Sequence, residues 1–164
     1  MTIADTPDFQ GLLHGEPAEW LTALPTYQRS LIGQMLQTQS PTEVAVSWLA
    51  TSGPKDTAPF GGVRAGASLF YDNLLTEVQR LFCGHDRYAQ EREELKSAAS
   101  WTKMGIVSFI AMTIGPQVGA SAVVIAPVVA MILAVLSSAG KETVCDGIKV
   151  LIADRAAGRA TDNA

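Results

Sequence analysis

The chain has 164 residues and a mass of 17.4 kDa, the size of one ordinary domain. Its 12 Lys and Arg against 16 Asp and Glu leave a net charge of −4, and the basic residues do not cluster. This excludes a nucleic-acid binder that works by neutralising phosphates, and 48% hydrophobic residues with only two cysteines exclude a disordered tail and a disulfide scaffold. The charges are unevenly placed: residues 1–103 carry 8 basic and 12 acidic side chains, residues 104–140 carry none, and residues 141–164 carry four of each. Three regions follow: an acidic helical domain (1–103), an uncharged hydrophobic segment (104–140), and a C-terminal amphipathic helix with its tail (141–164).

Residues 1–8 are polar and acidic, with neither the basic start nor the apolar core of a secretory signal. The expectation is therefore a cytoplasmic chain with Cys83 and Cys145 as reduced thiols. Glu16-Pro17-Ala18-Glu19 opens a short helix through Trp20 and Leu24, because proline and acids suit a first turn. After Pro25, residues 26–39 form a second predicted helix with Leu31, Ile32 and Met35 on its apolar face. Ser40-Pro41-Thr42-Glu43 is a capping box with proline at the first helical position, and it starts a helix to about Thr51 whose inner face is Val44, Ala45, Trp48 and Leu49.

Residues 55–66 form a connecting loop, since Gly61, Gly62 and Gly66 lack phosphate-loop spacing. From Ala67 to Phe82 the apolar residues Phe70, Leu74, Val78, Leu81 and Phe82 recur at three and four, predicting a strongly amphipathic helix that Gly84 ends. Asp86 then caps a charged helix running towards Trp101, in which Arg87, Arg92 and Lys96 alternate with Glu91, Glu93 and Glu94 as a solvated, ion-paired face. Residues 142–157 predict a last helix with Val144, Ile148, Leu151 and Ile152 on one face, and residues 158–164 a frayed end. No strand-like alternation or long repeat occurs, so the fold class is all-α: a multi-helix bundle with a hydrophobic helical hairpin or transmembrane-like segment towards its C-terminus.

The uncharged segment is expected to break at Gly115-Pro116 into pieces of 11 and 24 residues. As helices these would be about 17 Å and 36 Å long, so the second could cross a hydrocarbon core of about 30 Å and the first could not. Ala122, Ala126, Ala130, Ala134 and Ser138 recur every four residues, with Gly115 and Gly119 at the same spacing before them. Such a stripe of small residues suits helix association in lipid. Lys96 and Lys103 precede the segment and Lys141 and Lys149 follow it, as expected of a hairpin with both ends on the cytoplasmic side. In length, lack of charge and richness in Gly, Ala, Val and Ile, the segment resembles the hydrophobic hairpin of pore-forming domains of the colicin type. That resemblance implies a hairpin kept inside a shell of amphipathic helices and later turned out into a bilayer; it covers about a quarter of the chain.

Cys83-Gly84-His85-Asp86 gathers nucleophile, base and acid types, but neighbours two apart seldom face one another, and a buried thiol between two helix caps accounts for all four. His14, Cys83, His85 and Cys145 lack metal-ligand spacing, so no metal, cofactor or catalytic residue is expected. The functional expectation is a membrane-associated protein at the inner face of a membrane, with a lipid bilayer and copies of itself as partners and no nucleic acid. It would self-associate through Gly115, Gly119, Ala122, Ala126, Ala130, Ala134 and Ser138, as a pore-forming or membrane-disrupting effector of bacterial type. The alternative is a soluble all-α adaptor or oligomerisation module with the same segment as its buried core.

Overall fold

In the computed structural model, which describes residues 17–52, 62–98, 101–138 and 144–162, the described residues form helices joined by short turns, with no strand among them. The helices are α1 (Pro17–Trp20), α2 (Thr26–Met35), α3 (Pro41–Ser52), α4 (Gly62–Cys83), α5 (Ala89–Lys96), α6 (Lys103–Val118), α7 (Ala122–Ser138) and α8 (Val144–Asp162). Short 3₁₀ turns follow α1 (Leu21–Ala23) and precede α5 (Asp86–Tyr88). Helix α7 packs against α1, α3, α6 and α8, and α4 packs against α3, α6 and α8.

Most boundaries follow from local chemistry. The Ser40 hydroxyl accepts from the Glu43 amide at 3.2 Å, so the cap that starts α3 forms as expected. Val44, Ala45, Trp48 and Leu49 are all buried, and so are Phe70, Leu74, Val78, Leu81 and Phe82 of α4. Helix α2 is shorter than its periodicity suggests. It ends at Met35, and of its expected apolar face only Ile32 is fully buried while Leu31 is exposed. Residues 62–66 of the expected loop belong to α4, and residues 53–61 lie outside the described residues. Helix α8 begins at Val144 and continues to Asp162, so the expected frayed end is helical at 158–162.

The charged stretch after Gly84 departs from a uniformly solvated face. Gly84, at φ +102°, ends α4, and the cap of the next turn is His85 rather than Asp86, its Nδ1 accepting from the Arg87 amide at 3.1 Å. Lys96 and Glu93 do form an exposed ion pair at 2.7 Å. Arg92, however, is only 8% exposed and donates at 3.1 Å to the carbonyls of Arg80 and Leu81 in the last turn of α4. A helix C-terminus leaves carbonyls without intrahelical partners and carries partial negative charge, so a guanidinium satisfies it in both respects. Glu77, 6% exposed, is the second buried charge. It accepts from Arg80 at 2.7 Å, Arg87 at 3.1 Å and the Tyr88 hydroxyl at 2.6 Å. These bonds fasten α5 and its entry turn to α4.

Helix α8 is fastened to α4 at two places. In its middle, Arg155 pairs with Asp72 at 2.9 Å, bonds the Ser68 hydroxyl and lies over the Tyr71 ring, 5.3 Å from its centroid. In its first turn, Cys145 is joined by a disulfide to Cys83, the last residue of α4. This corrects the expectation of two reduced thiols: residues 62 apart in sequence meet because α8 folds back along α4, which spacing alone does not reveal.

Two predictions follow from these fastenings. Closing a loop of this length removes denatured-chain entropy worth about 4 kcal/mol, so reduction, or Cys83→Ser with Cys145→Ser, should lower the unfolding free energy by a similar amount. Urea titration with and without reductant measures it, and a loss below about 1 kcal/mol would mean that the bond adds little to the fold. The second concerns pH. Burial raises the pKa of Tyr71, opposed in part by its hydrogen bond to Thr42 and by Arg155. Burial and the Glu77 carboxylate raise that of Tyr88. The folded chain then retains protons that the unfolded chain releases above about pH 10. Their contribution to stability is complete below that pH and is lost as pH rises through the folded values. A melting temperature that stays level well above pH 10 would contradict it.

Candidate functional site

Of the uncharged segment, residues 104–138 are described and lie in α6, a turn and α7. The Thr102 hydroxyl caps α6 by accepting from the Gly105 amide at 3.0 Å. Lys103, a cation at the end of a helix where the dipole disfavours it, is compensated by Glu19 at 3.4 Å and by the Trp20 ring, 5.2 Å from its ammonium.

The expected break at Gly115-Pro116 falls instead at residues 119–121. Pro116 lies in the last turn of α6, where its missing N–H affects only the carbonyl of Met112, an exposed residue. The helix ends at Gly119, whose φ of +75° is the left-handed conformation that glycine adopts without penalty. The amides of Gly119 and Ala120 both return to the Gly115 carbonyl, the latter at 3.1 Å. A side chain at 115 would meet the Ala120 carbonyl oxygen at 2.7 Å. The four-residue spacing of Gly115 and Gly119 is thus used by a helix-ending turn.

Across this turn the chain direction changes by 117°. With 16 and 17 residues, α6 and α7 are about 24 Å and 26 Å long. No single helix among the described residues is long and apolar enough to cross a membrane, while the bent pair passes that test together. Pro127 occupies the second turn of α7, and the carbonyl it leaves without an intrahelical donor belongs to exposed Val123.

Along the stripe, exposure falls from the turn inwards. Gly119 is exposed, Ala122 and Ala126 are half-buried, and Ala130 and Ala134 are buried; Ser138 lies in the last turn of α7. Residues 128–134 are all buried, so α7 is a core helix of the bundle. Two tryptophans hold its ends. The Trp48 indole N–H donates to the Val124 carbonyl at 2.9 Å, and the Trp20 indole N–H donates to the Ser137 hydroxyl at 2.7 Å. Small side chains at 126, 130 and 134 leave room for the helices packed against α7.

The outer edge of the hairpin is less covered. Met104 and Met112 of α6 and Val123 of α7 are 57%, 67% and 72% exposed. They border a cleft of about 340 Å³ whose walls include Leu24, Gln28 and Val107 and which contains no charged residue. Methionine is flexible and polarisable, and clefts edged by it adapt to varied apolar surfaces. Trp101, stacked edge-on against Phe109 at 5.4 Å, stands at the other end of α6.

The two chemistry-bearing side chains Cys83 and His85 are each already engaged, and not with one another. Cys83 is in the disulfide, His85 caps the following turn, and neither sulfur is free to ligate or attack. Among the described residues no group of three or more His, Cys, Asp and Glu side chains could hold a metal ion; His14 lies outside them. The sequence placed Trp20 and Trp48 on helices without their hydrogen-bond partners, put Arg92 on a solvated face and did not single out Glu77. The signal was present for the tryptophans, because a buried indole needs an acceptor, but its identity depends on which helix lies opposite.

Ser137→Ala removes the hydroxyl that accepts from the fully buried Trp20 indole and should cost about 1–3 kcal/mol in urea unfolding, whereas Ser137→Thr, which keeps a hydroxyl, should recover most of it. Equal losses in both variants would place the cause elsewhere than in the hydrogen bond. No family model, no curated protein and no solved structure matches the chain, so its chemistry rests on this geometry alone.

Proposed function

We propose that this is a membrane-associating helical bundle that stores the α6–α7 hairpin among amphipathic helices and yields it to a lipid bilayer at the inner face of a membrane. The observation that carries this reading is the incomplete cover of the hairpin. Met104, Met112 and Val123 present an exposed apolar edge on the one segment of the chain devoid of charge. First contact with lipid would be made there, because insertion of that edge exposes no ionisable group to hydrocarbon. Neither helix reaches across a core of about 30 Å. The inserted form would therefore be a bent, re-entrant pair, or a longer one made by straightening the turn at 119–121.

The small-residue stripe enters this reading at the second step. In the closed bundle Ala130 and Ala134 are occupied by intramolecular packing, so copies would associate through them only after α7 has left its neighbours. Self-association would then follow insertion, in the order expected of a pore-forming or membrane-disrupting effector. The burial of α7 specifically favours a second reading, a helical adaptor or oligomerisation module that keeps this helix as its permanent core.

Flotation with phosphatidylcholine–phosphatidylglycerol vesicles and release of an entrapped dye test the proposal. The chain should float and release dye, and Met112→Glu, which places a charge on the exposed edge without entering the core, should abolish both while leaving the melting curve within about 0.5 kcal/mol of the parent. A parent chain that remains at the bottom of the gradient and releases no dye, with the Cys83–Cys145 bond intact and after its reduction, overturns the membrane reading in favour of the adaptor. Ala130→Leu adds an internal measure: overpacking the closed bundle should cost about 1–3 kcal/mol.

A further inference from the structure

The Cys83–Cys145 bond occupies a particular position relative to the hairpin. The covalent loop that it closes contains α5, α6 and α7 entire, so both ends of the uncharged segment are tied, through α4 and α8, to one point. The first turn of α8, which carries Cys145, also bears directly on α7: a side chain at Gly147 would stand 3.0 Å from Leu136. The remaining fastening of α8 to α4, through Arg155 with Asp72, Ser68 and Tyr71, lies about three turns further along α8. Breaking the disulfide would leave the middle of α8 held by Arg155, and its first turn, against Leu136 of α7, held only by the packing of Val144 and Ile148.

The bond is also placed for exchange. Both half-cystines are half-buried at the margin of the core, and the residues that follow them, Gly84 and Asp146, are exposed. The Phe82 carbonyl oxygen lies 3.3 Å from the Cys145 sulfur and can accept the S–H of the reduced form, so reduction leaves that thiol with a partner.

We infer that Cys83–Cys145 is a thiol–disulfide exchange site that latches the hairpin, with a dithiol as its substrate class. One thiolate of the dithiol attacks a protein sulfur, forming a mixed disulfide, and the other cysteine leaves as a thiolate and takes up a proton. The second thiol of the reagent then displaces the remaining cysteine. The dithiol ends as a disulfide, oxidised by two electrons, and the protein ends with two thiols. An oxidising compartment would keep the hairpin stored and a reducing one would unlatch it. As a control on membrane delivery this rests on the function proposed above; as a latch on α7 it does not.

The test has two arms. Without lipid, amide hydrogen exchange is followed across residues 122–138 before and after treatment with dithiothreitol; exchange there should accelerate by about tenfold or more beyond the acceleration in α3 and the first half of α4, which report only the global loss of stability. With phosphatidylcholine–phosphatidylglycerol vesicles, dye release by the reduced chain should exceed that by the oxidised chain by about tenfold. The Cys83→Ser/Cys145→Ser chain should match the reduced protein in both arms and ignore dithiothreitol. Exchange in α7 that accelerates no more than exchange in α3, or both cysteines alkylated before any reduction, overturns the latch. Accelerated exchange with no dye release in either state supports the latch and overturns the membrane reading. Equal release in both states with accelerated exchange overturns the control of delivery.

Discussion

A helix with no ionisable side chain has to be covered around its circumference, and the rest of this bundle is arranged to cover α7. Residues 128–134 are buried in succession, which requires cover on every side of the helix there. The cover comes from α1, α3, α6 and α8, and the alanines at 126, 130 and 134 let these approach closely. Burial of apolar area is non-directional, so by itself it would leave α7 free to slide or rotate among its neighbours. The two indole hydrogen bonds supply direction. Trp48 to the Val124 carbonyl and Trp20 to the Ser137 hydroxyl fix position near the two ends of the helix, about 20 Å apart along its axis.

The charges do complementary work at the periphery. Lys103 with Glu19 and Trp20 ties the start of α6 to α1, Glu77 gathers Arg80, Arg87 and Tyr88 at the α4–α5 corner, and Arg155 holds α8 on α4. None of these groups lies within the uncharged segment 104–140. A segment without charge can thus be held by charged neighbours at its ends and covered by apolar ones along its length. Such a segment can change surroundings, from protein to hydrocarbon, without first neutralising or desolvating an ion. The elbow at 119–121 contributes the remaining feature, since folding α6 against α7 leaves the cleft edged by Met104, Met112 and Val123.

What could be read in advance was whatever depends on near neighbours in the chain. The Ser40 cap, the stop at Gly84 and the inner faces of α3 and α4 all follow from spacings of three or four residues. The misreadings have a common origin. Pro116 was expected to break a helix, but proline in a final turn deletes only a bond to an exposed carbonyl, and the break belongs to Gly119. Arg92 was placed with its charged neighbours on a solvated face, whereas the end of α4 lies where its guanidinium can bond two carbonyls. Leu31 was assigned to a buried face and is exposed, because α2 is covered on one narrow side only. Of the expected association residues, Gly115 and Gly119 make the turn, and Ala130 and Ala134 pack internally.

The amino-acid sequence by itself determined that the chain is helical, that its charge is excluded from residues 104–140, and that this segment is organised by small residues at every fourth position. These are properties of composition and of short-range periodicity, which the chain carries wherever it is. Only the tertiary structure decided that α7 is enclosed by the chain's own helices, that an edge of the hairpin is left bare, and that Cys83 and Cys145 are joined across 62 residues. Each of these depends on which surfaces meet once the helices pack. An apolar surface attracts lipid, ligand and neighbouring helix through the same non-directional force, so its own sequence does not name the surface that it meets.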